Sequence, residues 1–179
     1  MKKHELEHII RSARTICEDD EFIIIGSQSL HGKYPNLADE LNFSAEVDII
    51  AKNKSDNTEL LNNIGVDSPF HEMNGYYADP VDFETATLPK NWKNRLVNLK
   101  VETNTNGARA YCLEPHDLVV AKLAAGREKD RVFISGLLKR NLIEPNKIAD
   151  RIVETRVSNE EKRRMLLLFN RLKSAVEAR

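Results

Sequence analysis

An α/β fold is predicted for this 179-residue chain, a small mixed sheet flanked by helices with a helical C-terminal segment, and three observations carry the prediction. Two short apolar runs, at 22–25 and 45–51, have the length and alternation of half-buried or buried strands. Residues 2–17 repeat Leu6, Ile9, Ile10, Ala13 and Ile16 at three- and four-residue steps, the period of an amphipathic helix. From His116 onward strand signals give way to helical ones. The core is therefore placed at 1–113 and a helical part packed on it at 114–179, one structural domain overall.

The elements follow in order. After the helix at 2–17, the strand 22–25 runs into Gly26-Ser27, and Ser27 to about His31 opens a helix that His31-Gly32-Lys33-Tyr34-Pro35 ends. The second strand is 45–51, followed by a polar loop at 52–57 and a short helix at 58–64 that Gly65 closes. Strands are expected at 76–78, 96–101 and 108–112, separated by Asp79-Pro80, Leu88-Pro89 and 104–107, so that two or three antiparallel strands complete the sheet. Pro115 suits a first helical turn, with His116 to Ala125 following and Gly126 breaking or bending the helix. Beyond Glu128 the chain is helical, with breaks near 141–145 and 157–159, where Ser158 and Glu161 make a capping box for the last helix.

The net charge of −1 argues against indiscriminate nucleic-acid binding, but charge is unevenly spread. Residues 139–179 hold 11 Lys and Arg against 6 Asp and Glu, a net +5, and residues 1–138 hold 16 against 22, a net −6. A basic tail can meet a polyanion, although a solvated helix face explains such a mix more often. The apolar runs fall far short of the ~20 residues a bilayer requires, so no membrane partner is expected. The start lacks a signal-peptide core, and a cytoplasmic protein is expected. Cys17 and Cys112 have no metal-ligand spacing and read as reduced, buried thiols.

The candidate chemistry lies at the ends of the first two strands. In an extended strand Glu46 and Asp48 point to one face about 7 Å apart while Val47 and Ile49 turn to the core. Paired hard carboxylates suit Mg²⁺ or Mn²⁺, which takes its other ligands from water and substrate phosphates. Gly26-Ser27 fits the same picture, because a residue without Cβ lets backbone N–H groups approach a phosphate and the hydroxyl can donate to it. Alone, Glu46-Val47-Asp48 also describes a solvated strand face, and Ser27 a helix N-cap.

The order strand, Gly26-Ser27, helix, then Glu46-x-Asp48 on a strand resembles the nucleotidyltransferase fold of polymerase-beta-like enzymes. Three further stretches narrow the resemblance: Tyr76-Tyr77-Ala78-Asp79; Leu88-Pro89 followed by Trp92, Arg95, Leu96 and Val97; and Cys112 to Leu118 with Lys122-Leu123-Ala124-Ala125-Gly126-Arg127-Glu128-Lys129-Asp130. They are similar to a bacterial family of nucleotidyltransferases of unknown function, akin to the AbiEii-type toxins of abortive-infection and toxin–antitoxin systems. The resemblance implies that Gly26 and Ser27 hold nucleotide phosphates and that Glu46 and Asp48 bind the metal, with Glu where relatives often have Asp. A third metal carboxylate would be Asp79, Asp82 or neither. The resemblance also brings Lys122, Lys129 and Asp130 into the site, a lysine neutralising the triphosphate and Asp130 orienting it or taking the acceptor's proton. Arg127 is then a candidate second phosphate contact. Seven residues apart on one continuous helix, Lys122 and Lys129 would share a face; as surface residues Lys122, Lys129 and Asp130 would simply form ion pairs.

The implied reaction is attack of an acceptor hydroxyl on the α-phosphorus of a nucleoside triphosphate, with loss of pyrophosphate. The implied partners are the nucleoside triphosphate, a tRNA or other RNA or a protein acceptor, and a cognate antitoxin. A noncatalytic nucleotide- or RNA-binding regulatory module of the same fold is the alternative. Trp92 and Arg95 read as structural, and the run 165–169 as core or as a surface docking on RNA or a partner.

Overall fold

β-Branched and aromatic side chains favour extended backbone, and in the computed structural model of the protein the two apolar runs form adjacent strands, β1 (Glu21–Ile24) and β2 (Glu46–Ala51). They pair antiparallel, Phe22 opposite Ala51 and Ile24 opposite Ile49. The structure describes residues 1–36, 44–101 and 105–178. It divides into two units, one of Met1–Thr85 with Arg95–Glu114 and one of Ala86–Asn94 with Pro115–Arg179.

The first unit holds the sheet. Its order is β3-β2-β1-β5-β4, with β3 (Tyr77–Pro80), β4 (Val97–Asn98) and β5 (Arg109–Cys112). The expected antiparallel completion is corrected here: β3 runs parallel to β2 and β5 parallel to β1, and only β4 is antiparallel to its neighbour β5. β4 spans two residues where a strand over 96–101 was expected. Pro80 ends β3 on the sheet edge, where a residue without an N–H is tolerated, so Asp79 lies inside a strand rather than in a turn.

One face of the sheet packs on α1 (Lys3–Cys17). Leu6, Ile9, Ile10 and Ala13 meet Phe22, Ile24, Val47, Ile49 and Ala51 in one buried cluster. Each such Leu or Ile contributes on the order of 1.5–3 kcal/mol by leaving water. The alternation of β2 puts Glu46, Asp48 and Ile50 on the opposite face. Two connections differ from expectation. The 3₁₀ helix Ser55–Ile64 begins inside the expected polar loop. The helix α2 (Pro69–Asn74), with Pro69 in its first turn, Ser68 as N-cap and Gly75 in the left-handed region behind it, had no apolar period to announce it. The expected break at 104–107 lies partly outside the described residues.

The second unit is helical: α3 (Pro115–Ala125), α4 (Glu128–Lys139), α5 (Pro145–Glu154) and α6 (Asn159–Glu177). Leu118, Leu123, Phe133, Ile134, Ile148, Ile152, Met165 and Phe169 are buried. Met165 and Phe169 thus serve as core, while Leu167 is half exposed. Ser158 caps α6 by accepting from Glu161 N at 3.1 Å. Among the described residues no helix is long and apolar enough to cross a membrane.

Candidate active site

Gly26 follows β1 where Ile25 N donates to Asp48 O at 3.1 Å, so the turn is tied to β2 at the position of Asp48. Its φ of −85° and ψ of −162° suit any residue. Space, not conformation, demands glycine: a Cβ there would lie 1.6 Å from Asp48 Oδ2 and 2.5 Å from its Cγ. The backbone of the turn and the Asp48 carboxylate are therefore in direct contact. Ser27 begins the 3₁₀ helix Ser27–Gly32; Gly26 occupies the N-cap and no side chain caps it, so the Ser27 hydroxyl is not a cap. Behind it Gln28 and His31 are buried and anchor the turn, Gln28 Nε2 donating to Ser44 O at 2.9 Å and His31 Nε2 lying 3.1 Å from Met1 O.

Parallel pairing of β2 with β3 sets Asp48 beside Asp79 and Glu46 beside Tyr77. Since alternate residues share a face, Glu46, Asp48, Tyr77 and Asp79 project together from two neighbouring strands. The Tyr77 phenol donates to Glu46 Oε2 at 3.1 Å, and the His71 ring lies against it with centroids 4.6 Å apart. Burial, then the bond to Glu46, then the charges of Glu46, Asp79 and Asp48 raise the Tyr77 hydroxyl above its ordinary value. All three carboxylates thus act on one phenol. Burial, and then the charge of Glu46, push Asp79 above the usual carboxylate range. Asp82 lies beyond β3 and is exposed; its Oδ1 accepts from Glu84 N at 2.9 Å and Thr85 Oγ1 at 3.0 Å. The structure therefore gathers Asp79, not Asp82, with Glu46 and Asp48.

Among the described residues no three His, Cys, Asp or Glu side chains are arranged to enclose a metal ion by themselves. The carboxylates on this face still fit a hard cation, because Mg²⁺ is commonly held by one or two carboxylates and completed by waters and phosphates.

In the second unit the helix across 122–129 is interrupted at Gly126, where a break or bend is expected, so Lys122 and Lys129 do not share one continuous helical face. Gly126, at φ +66°, ends α3 with its N–H donating to Lys122 O at 2.9 Å, and α4 starts at Glu128. Lys122 and Lys129 consequently sit on different helices, Lys129 exposed on the first turn of α4. Asp130 is fully buried and draws in both Lys122 Nζ at 3.1 Å and Arg127 Nε at 2.7 Å. Burial alone would raise this carboxyl, but the Arg127 bond and the Lys122 charge outweigh it and hold it below the usual range. Lys122 Nζ also lies 4.5 Å from the Phe133 ring centroid. Sequence reasoning missed Arg164, which grips the end of α3 through Leu123 O at 3.3 Å and Ala124 O at 2.6 Å. It also missed Tyr77, whose place two residues before Asp79 on a strand is a period-two signal of a shared face.

Residues 4–177 match a family model described as a nucleotidyltransferase of unknown function (DUF6036). No curated protein and no solved structure matches the chain.

Proposed function

Because the chain belongs to this family of nucleotidyltransferases of unknown function, we infer that it moves a nucleoside monophosphate from a nucleoside triphosphate to a hydroxyl of an RNA, such as a tRNA, or of a protein. The observation that carries this reading is the contact between the Gly26 turn and Asp48, with Glu46 and Asp79 on the same face. In it Glu46 and Asp48 hold Mg²⁺ or Mn²⁺, with Asp79 beside them as the candidate third carboxylate, and Gly26 and Ser27 take the phosphates through backbone N–H groups and a hydroxyl. The bound metal would supply Lewis-acid stabilisation of charge on the phosphate oxygens. The chain's own part is to position donor and acceptor and to present fixed charges and dipoles.

Lys122, Lys129 and Arg127 are the cations this reading assigns to phosphates. Asp130, ionised and paired twice, is a weak base, which supports orienting Lys122 over accepting a proton. The resemblance to AbiEii-type toxins supports a toxin role held in check by an antitoxin protein. The test is pyrophosphate release from each nucleoside triphosphate with Mg²⁺, cellular RNA and protein. Release by wild type but not by Asp48→Ala is expected. Nucleotide binding without release would favour instead a regulatory module of the same fold.

A further inference from the structure

Glu46 carries one more rotatable bond than an aspartate would, so its carboxylate has more rotamers to lose before it can serve as a ligand. The neighbouring strand supplies the restraint. Parallel register delivers Tyr77 opposite Glu46, and the phenol donates to Oε2 at 3.1 Å. Tyr77 is itself held, because the His71 ring packs at 4.6 Å and 58° to it. His71 is fixed in turn: its backbone N–H donates to the Ser68 hydroxyl at 3.1 Å, and its Nδ1 accepts from Asp67 N at 3.1 Å. A chain of contacts thus runs from the capped start of α2 through two rings to one carboxylate oxygen.

We propose that Tyr77, backed by His71, is a positioning residue that fixes the Glu46 carboxylate for a divalent cation. The proposal rests on the reading of Glu46 as a metal ligand. A carboxylate offers about four lone-pair sites, so one phenolic donor and one cation can share it. The donated hydrogen bond selects the orientation of the group, as partners outside the ligand shell do in metal sites generally.

The experiment is Mn²⁺ binding, read by the loss of free-ion electron paramagnetic resonance signal, in wild type, Asp48→Ala, Tyr77→Phe, Glu46→Asp and the Tyr77→Phe/Glu46→Asp double variant. Melting of each metal-free variant checks the fold. Tyr77→Phe is expected to melt like wild type and to bind Mn²⁺ roughly 10-fold more weakly. In the Glu46→Asp background, where the shortened carboxylate is withdrawn from the phenol, the same change should alter affinity by less than about twofold. Added Mn²⁺ should also perturb the near-ultraviolet tyrosine absorbance of wild type more than that of Tyr77→Phe. Wild-type affinity in Tyr77→Phe, or equal weakening in both backgrounds, would overturn the proposal while binding lost in Asp48→Ala leaves the metal reading standing. Absence of Mn²⁺ binding by wild type would overturn both.

Discussion

A methyl group at position 26 has no room, since the atom it would strike belongs to Asp48. Gly26→Ala should push that carboxylate aside, cost about 1–3 kcal/mol by urea denaturation as overpacking does, and reduce transfer about 100-fold or more. Asp79 makes a prediction in pH. With its folded pKa raised by burial and by Glu46, its stabilising contribution is fully present below the ordinary carboxylate value near 4. That contribution is lost as pH rises through the folded value. In metal-free buffer, wild type should therefore lose stability relative to Asp79→Asn between pH 4 and pH 7, measured as urea midpoints; parallel curves would contradict the account. Period two makes the shared face of Glu46 and Asp48 legible in the sequence. The contact of Asp48 with Gly26, and the choice of Asp79 over Asp82 as its neighbour, depend on strand pairing that no local pattern encodes.

Among elements, helices with a strong apolar stripe were readable and short ones were not. Helix α1 follows its predicted span to within one residue at its start, because its buried residues recur on one face. Helix α2 depends on Ser68, Pro69 and Gly75 at its ends, signals too brief to separate from a loop. Capping also decides the α3–α4 junction, where Arg164 holds the last carbonyls of α3 while Glu161 engages its guanidinium. Arg164→Ala should cost about 1 kcal/mol through those carbonyls and the helix terminus, and Ser158→Ala about 1 kcal/mol through the lost cap. At the start of β1, Glu21 receives Lys52 Nζ and Tyr111 OH, each at 2.6 Å, and Arg109 Nη2 at 3.1 Å. Lys52 first, then Tyr111, hold this carboxyl down at about 2. Its stabilising contribution is present above the unfolded carboxylate value near 4.3 and disappears as pH falls toward 2. Glu21→Gln should flatten acid unfolding, followed by circular dichroism, over that interval.

For the whole molecule, strand direction was the hardest feature to read. Apolar runs announce that β3 and β5 exist, but their parallel pairing with β2 and β1 follows from long crossovers that alternation cannot reveal. Both thiols are free and buried, Cys17 pushed up to about 11 by burial and the Asp19 charge, and Cys112 to about 12 by burial. Neither should react with a thiol reagent until the chain unfolds, so labelling in urea should track the loss of ellipticity. The most direct test of the central claim is transfer of α-labelled ATP, CTP, GTP or UTP, with Mg²⁺, to total cellular RNA and protein by wild type and Asp48→Ala. Label entering a defined RNA or protein band with wild type alone is the predicted result. No label from any nucleotide despite nucleotide binding, or equal labelling by Asp48→Ala, would contradict it.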